Sequence, residues 1–370
     1  MTSLGLVEIH LTPNRSLESA GVHLLSKREV AMGRFIGIDL HKNMIVVCVL
    51  EPGDETGVTS RYGLTKLDEF IGGLRPDDTV AVEATTNTAF LVRQLKKVVS
   101  DIKVVNPYQF KVIRTSTKKT DKHDAHALAY YLSKDMLPTV RQKDERYRRV
   151  ESLARTRSCL VKQRTMLFNQ AHNMMCGIGY VTKRNETKAI SKLRGFLDLL
   201  EDSMERLELE VIIDQIVKLN ENILKLEKEL EAAGKDMDKF ENITSIKGIG
   251  ALSGTILLSV IGDIQDFPSE KKLASYFGLV PRVDQSNSTT KYGAITKRGS
   301  AMGRTALVQC SLIAIRFSPY LRAFYDRIKA AKGSGKAIIA TARKLLGIVY
   351  QTLKNDWIFE DFAAFQIKAA

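Results

Sequence analysis

"RFIGIDLHKNMIVVCVLEP", Arg34 to Pro52, is the stretch on which the fold turns. It holds two apolar runs, Phe35 to Leu40 and Met44 to Leu50, separated by the polar triplet His41, Lys42 and Asn43. Short runs rich in Ile and Val, bounded by turn residues, predict two strands folded back on each other. A carboxylate, Asp39, interrupts the first run. A charge held inside an apolar strand needs a cation, a partner or a proton.

Working outward, "GVTSRYGLT" (57–65) reads as a third strand and "KLDEFIGGL" (66–74) as a short helix. "TVAVEATT" (79–86) is a buried strand with Glu83 at its end. "NTAFLVRQLKKVV" (87–99) is helical, and "DIKVVNP" (101–107) is a strand stopped by Pro107. A helix follows over Asp121 to Lys134, with Thr120 as its N-cap. Strands first, then helices alternating with strands, predict an α/β domain over residues 34–140.

The last helix of that domain carries the chemistry. At about 100° per residue, Asp121 and Asp124 share a face with Ala125, Leu128, Tyr131 and Leu132. That face is apolar, so it points at the sheet. His123 and His126 fall on the opposite side, which argues against a mixed Asp/His zinc site. Neighbouring strands would bring Asp39 and Glu83 together beneath the Asp121/Asp124 turn. Four carboxylates at one sheet edge repel unless divalent cations sit between them. Oxygen-only ligands select Mg²⁺ or Mn²⁺. Such clusters hold two ions about 3.5–4 Å apart and activate phosphoryl transfer.

The whole chain supports a polyanionic substrate. It has 370 residues, with 56 Lys+Arg against 42 Asp+Glu, a net charge of +14. Nucleic acid is the first expectation and an anionic membrane surface the second. The four cysteines (Cys48, Cys159, Cys176, Cys310) are dispersed and form no CxxC pair, which excludes a zinc ribbon or a redox motif and suits a reducing cytoplasm. The longest apolar run, "MIVVCVL", is too short to span a bilayer. Residues 1–33 lack the apolar segment of a signal peptide and read as a poorly ordered extension.

Beyond Pro138 the pattern is helical. Arg141 to Arg164 carries nine Lys/Arg against three Asp/Glu. Leu209, Ile212, Ile216, Leu219, Ile223, Leu226 and Leu230 recur at spacings of three and four, predicting a coiled coil or helical hairpin within 141–239. A mainly α C-terminal domain is expected over 240–355, with a tail over 356–370. It opens with "ITSIKGIGALSGTILLSVIG" (243–262), similar to a helix-hairpin-helix, in which a glycine turn presents backbone N–H groups to a phosphate. Residues 277–306 read as loop-rich, with helices at about 301–317 and 336–354. "GSGKA" (333–337) fails as a phosphate loop, because Ala337 follows the lysine and no strand precedes it; it reads as a flexible basic linker.

These residues resemble the DEDD transposases, the insertion-sequence recombinase family that includes Piv-type invertases, whose N-terminal domain is RNase H/RuvC-like. "IGIDLHKN" matches the first-strand motif, "VEATTNT" the second, with Thr86 where glycine is usual, and "VVNPYQFK…KTDKHDAHALA" the third. In the C-terminal half, "SIKGIGALSG" and "ASYFGLVPRVDQSNSTTKYGAITKRGSAMGR" are similar to the transposase signature. The resemblance implies that Asp39, Glu83, Asp121 and Asp124 bind Mg²⁺ against the scissile phosphate. It also implies that a serine of the C-terminal domain attacks that phosphate. Residue types alone leave Ser286, Ser288, Thr289 and Thr290 open. The spacing from Pro281 and Arg282, and on to Gly293, picks Ser286, followed here by Asn287 instead of glycine. Arg282, Lys291, Lys297, Arg298 and Arg304 are the expected phosphate-neutralising residues. The resemblance further implies a structured bridge RNA whose loops pair with donor and target DNA, and dimers that pair into a tetramer on two DNAs. The rival expectations are a metal-dependent RuvC-like nuclease or resolvase without serine linkage, and a non-catalytic nucleic-acid-binding protein.

Overall fold

The structure, a computed structural model, describes residues 33–110, 120–180, 188–286 and 289–360. The expected extension and tail therefore lie outside the described residues up to residue 32 and from residue 361, as does Ser288. The chain divides into two compact units, residues 1–142 and 143–370. Among the described residues no helix is long and apolar enough to cross a membrane.

The first unit is built on β1 (Phe35–Leu40), β2 (Met44–Leu50), β3 (Val58–Gly63), β4 (Thr79–Glu83) and β5 (Asp101–Val105). Its helices are α1 (Leu67–Gly72), α2 (Thr88–Leu95) and α3 (Asp121–Ser133). The sheet order is β3-β2-β1-β4-β5. The β1–β2–β3 meander is antiparallel, and β4 and β5 then run parallel to β1. The period of two along β1 divides its side chains. Ile36, Ile38 and Leu40 join Val80, Val82, Leu91 and Leu95 in a core on the face covered by α1 and α2. On the opposite face, Ala125, Leu128, Ala129 and Leu132 of α3 pack against Val46, Cys48, Ala81 and Val105. The result is an α/β unit of three layers.

Gly37 sets how closely α3 approaches. A Cβ built on it would lie 2.1 Å from the Ala125 carbonyl oxygen and 2.4 Å from the Ala129 nitrogen. Only a residue without a side chain lets the helix backbone rest on β1 there. A second clasp holds β1 to β4. Arg34 donates through Nε and Nη2 to the buried Asp78 carboxylate at 2.9 and 2.8 Å, and the Thr79 amide donates to the Arg34 carbonyl at 2.9 Å.

The second unit opens with α4 (Glu145–Gly177), α5 (Ile190–Leu197) and α6 (Ser203–Lys235). Arg157 meets Glu227, Arg164 meets Asn220 and Gln170 meets Glu208, so partners step backward along α6 as they step forward along α4. The two long helices are antiparallel neighbours. The heptad residues of α6 turn inward: Leu209, Ile212, Ile216, Ile223 and Leu230 are buried. Several arginines of α4 have acidic partners: Arg148 and Arg149 pair with Glu145 and Arg155 with Glu151 along the helix, and Arg157 pairs with Glu227 of α6.

The remaining elements are α7 (Phe240–Ser245), α8 (Ala251–Ile261), α9 (Glu270–Tyr276), β6 (Pro281–Ser286), β7 (Thr289–Ile295), α10 (Ala301–Phe317), α11 (Pro319–Lys332) and α12 (Ser334–Lys354). Val150, Ala154 and Leu230 share one core with Leu257, Leu307, Leu345 and Val349, so the long helices and the C-terminal segment pack on common residues. In the turn between α7 and α8, Gly248 has φ +98°, and a Cβ there would lie 2.7 Å from the Ala314 nitrogen of α10. Two expectations change. Residues 281–286 and 289–295, read as loop, form two antiparallel strands. Residues 333–337, read as a flexible linker, are a single break at Gly333 (φ +81°) followed at once by α12, because buried Ala337, Thr341 and Leu345 extend the helical repeat back to Ser334.

Candidate active site

Three elements converge at one edge of the first sheet. Along β1 the alternation places Asp39 on the same face as Gly37, toward α3. Along β4, Ala81 lies against Leu128 of α3, so Glu83 shares that face two residues on. The parallel register pairs Ile38 with Val82, which sets Asp39 and Glu83 level at the ends of neighbouring strands. Asp121 and Asp124 sit in the first turn of α3, where the helix dipole favours negative charge. Thr120 is the N-cap, its hydroxyl accepting from the His123 amide at 3.3 Å. The Thr120 carbonyl accepts from the Asp124 amide at 3.0 Å. Asp124 is buried at 8% exposure.

The electrostatics match this crowding. Burial raises the Asp39 carboxyl above the ordinary carboxylate range; His41 opposes the rise, and the neighbouring Asp124 and Asp121 charges add to it. The loop after Glu83 is fixed from behind. Thr88 donates to the Glu83 carbonyl at 2.7 Å and accepts from the Thr85 amide at 2.7 Å.

Two residues without an expected role complete the edge. His41, in the β1–β2 turn, places Nε2 3.1 Å from Asp39 Oδ2 and 3.5 Å from Asp121 Oδ1. Arg61 of β3 reaches Asp121 Oδ2 at 3.8 Å. Asp39, His41 and Asp121 each offer a ligand atom within 4.8 Å of the others, a donor set that fits a divalent metal. A nitrogen donor beside the carboxylates departs from the oxygen-only set read from the sequence. The only forewarning was the "DLHK" spacing, with the histidine two residues past the strand acid. The α3 histidines stand elsewhere. His123 is exposed, and His126 Nε2 lies 2.7 Å from the Glu55 carbonyl, steadying the β2–β3 loop.

In the second unit, Ser286 is the last residue of β6, its backbone paired with Thr289 across the hairpin end. Arg282, Lys291, Lys297 and Arg298 are exposed. Lys291 stands opposite Asp284 in the register. Arg304 is used differently. Its Nη1 donates to the Phe277 carbonyl at 3.0 Å and the Gly299 carbonyl at 3.1 Å, closing the base of the hairpin, and burial lowers its pKa.

Comparison with known proteins places both units. A family model of the DEDD IS110 type, described as "Transposase", matches residues 36–179. A second, described as "Transposase IS116/IS110/IS902 family", matches residues 240–326. The transposase for insertion sequence element IS1111A of Coxiella burnetii is 25% identical over 346 residues, covering 90% of this chain and 93% of that protein. The transposase for IS1328 of Yersinia enterocolitica is 26% identical, covering 75% of this chain and 83% of its own length. The pilin gene-inverting protein of Moraxella lacunata is 28% identical, covering 88% and 97%. With the acids of the three N-terminal motifs brought to one end of the first sheet and both family segments present in order, the chain belongs to the IS110 family of DEDD transposases, enzymes that cleave and rejoin DNA.

Proposed function

We propose that this transposase is a Mg²⁺-dependent, serine-linked recombinase. Asp39, Glu83, Asp121 and Asp124 are its metal-binding residues, and Ser286 is its nucleophile. The observation that carries the reading is the convergence of Asp39, His41 and Asp121 from a strand end, a turn and a helix start, with Asp124 close enough to raise the Asp39 carboxyl. A divalent metal bound there supplies charge neutralisation at the phosphoryl oxygens and lowers the pKa of a coordinated hydroxyl. The residues themselves do the rest. His41 and Arg61 hold Asp39 and Asp121 at fixed spacing, and the α3 N-terminus offsets part of their repulsion.

The serine step balances without an external energy source. Ser286 Oγ forms an ester bond to the scissile phosphorus, the bond to one DNA sugar oxygen breaks, and the serine proton passes to solvent or base as the leaving oxygen gains one. Attack by a DNA hydroxyl on that ester reverses the exchange and restores the serine. The phosphodiester is conserved as a phosphoserine, so rejoining requires no nucleotide triphosphate. The hairpin that carries Ser286 supports engagement by substrate: residues 282–285 and 290–294 are exposed on both faces. A two-stranded ribbon without a core of its own gains order from what it binds. Arg282, Lys291, Lys297 and Arg298 are the phosphate contacts of this proposal, with Arg304 a brace for the hairpin base.

The proposal extends to a guide. A bridge RNA that pairs with donor and target leaves the protein to read backbone shape, which suits the +14 charge. Assembly on two DNAs is as dimers paired into a tetramer. The test is covalent trapping of full-length protein on a duplex spanning an end of its own element, with co-purified RNA retained. Wild type gives a nuclease-resistant adduct and Ser286→Ala gives none. Asp124→Asn loses strand exchange while keeping nucleic-acid binding. An equal adduct from Ser286→Ala sinks the serine assignment, and unchanged exchange from Asp124→Asn sinks the metal assignment. Ribonuclease treatment before DNA addition abolishes exchange if the guide is real.

A further inference from the structure

A cavity of about 480 Å³ lies within the second unit, between α9, α11, α12 and the segment after α12. Neither the acidic edge nor the Ser286 hairpin contributes to it. Its size falls in the range of small-ligand sites. Four aromatic residues line it: Tyr320, Phe324, Trp357 and Phe359. Three cations, Lys271, Arg343 and Lys344, stand against one carboxylate, Glu270.

The cavity is built by specific bonds. After α12 the chain folds back. The Trp357 amide donates to the Thr352 carbonyl at 3.0 Å, and its carbonyl accepts from Asn242 Nδ2 at 3.0 Å. The Phe359 amide donates to Ser245 Oγ at 2.8 Å. Lys239 pairs with Asp356 at 2.6 Å, and both residues hold positive φ, +63° and +56°. Backbone strain of this kind persists only where surrounding contacts over-determine it. These ties set Trp357 and Phe359 in the cavity wall. Trp357 is nonetheless 57% exposed, a large aromatic surface left facing the opening. On the other wall, Lys344 Nζ lies 5.5 Å from the Tyr320 ring centroid. At the floor, Gly347 leaves room for the Glu270 carboxylate: a Cβ there would lie 2.9 Å from Oε2.

We propose that this cavity binds an unpaired nucleotide of single-stranded nucleic acid. Every base has a π-face, and aromatic side chains beside cations are how proteins hold single strands without reading sequence. The base stacks against Tyr320 and Trp357. The flanking phosphates meet Arg343, Lys344 and Lys271. Glu270 accepts from a base amino group. A duplex cannot enter, because its bases are already stacked and their faces hidden. Charge complementarity favours this occupant over an apolar peptide, for which the cationic rim would be a desolvation cost. The inference rests on the chain's membership of a DNA-processing family and is independent of the serine and metal assignments.

Trp357 is the one tryptophan in the chain, so its emission reports on this cavity alone. The experiment titrates full-length protein with a single-stranded adenylate oligomer, in DNA and RNA forms, and with a blunt duplex of equal length. At least one single strand quenches Trp357 emission saturably and the duplex does not; which strand does so assigns the source. Tyr320→Ser raises the Kd for that strand by about tenfold, the loss of one stacking platform. Joint Arg343→Glu and Lys344→Glu, both exposed, weakens it further and flattens its salt dependence. Equal quenching by duplex, no quenching by either strand, or an unchanged Kd in Tyr320→Ser overturns the proposal. So does emission that shifts with protein concentration and ignores oligonucleotide, which would assign the cavity to a second copy of the chain. A failed adduct test at Ser286 would leave all these readings intact.

Discussion

The acidic edge and the Ser286 hairpin are held in opposite ways. Every acid at the edge is fixed by something else: Asp39 by strand register, Glu83 by the Thr88 clasp, Asp121 and Asp124 by a capped helix pressed onto Gly37. The hairpin has backbone pairing and a braced base, but residues 282–285 and 290–294 have solvent on both faces. Carboxylates that repel one another need a rigid frame before a cation can bind among them. A strand proposed to meet DNA gains from being free to adapt. The difference predicts that mutations behind the acids act on stability, whereas mutations in the hairpin act on function.

The largest effect is expected at the clasp between β1 and β4. Asp78→Ala strands the Arg34 guanidinium and costs about 3 kcal/mol, read as faster hydrogen exchange across β1 and β4. The clasp also has a pH signature. Burial alone would raise the Asp78 carboxyl, but Arg34 and the Arg75 amide outweigh it and hold the carboxyl below its usual range. A depressed carboxylate pKa contributes stability that is fully present above the unfolded value of about 3.9, and that is lost as pH falls through the lower folded value. Asp78→Asn removes that dependence. Acidification below about pH 4 then erodes first-unit stability less steeply than in wild type. An identical acid profile would mean that Arg34 does not hold Asp78 in solution.

Gly37→Ala comes next. The added methyl collides with α3 backbone, which cannot rotate away as a side chain would, so a loss of about 1–3 kcal/mol is expected. Metal affinity should fall with it, measured by Mn²⁺ binding, because Asp121 and Asp124 move with the helix. Thr120→Ala removes only the cap and should cost about 1 kcal/mol, leaving the acids in place once folded. Smallest in stability is the hairpin pair Val283 and Tyr292, directly opposite one another and 56% and 73% exposed. Val283→Ser with Tyr292→Ser should change the urea midpoint by less than about 0.5 kcal/mol and yet lower strand exchange. If it unfolds the second unit, or leaves exchange untouched, the contrast between the two regions fails.

Much of the acidic edge was legible because its signals are periodic. The β1 run shows its carboxylate by interrupting an apolar pattern, and the α3 wheel separates Asp124 and Leu128 from His123 correctly, since burial follows the same 3.6-residue period. His41 and Arg61 were not legible. Each is an ordinary polar residue in a turn or an edge strand, and its contact with Asp121, at the far end of two crossovers, leaves no local mark. The hairpin was misread for the converse reason. With both faces in water it has no apolar alternation to betray its strands. The partners of the α4 arginines were not legible either: Arg157 faces Glu227 of α6, seventy residues away in the chain.

The sequence by itself determined the strands and helices of the first unit, the facing of Asp39 and Asp124 toward one side of the sheet, the inward seam of α6 and the family, because each is written in local periodicity or in a motif of fixed spacing. Tertiary structure alone decided the sheet order, the entry of His41 between two aspartates, the diversion of Arg304 to the hairpin base, and the aromatic cavity closed by Trp357. Those depend on residues far apart in the chain meeting at particular distances. Such meetings are settled by packing and backbone hydrogen bonding, which no short stretch of sequence encodes.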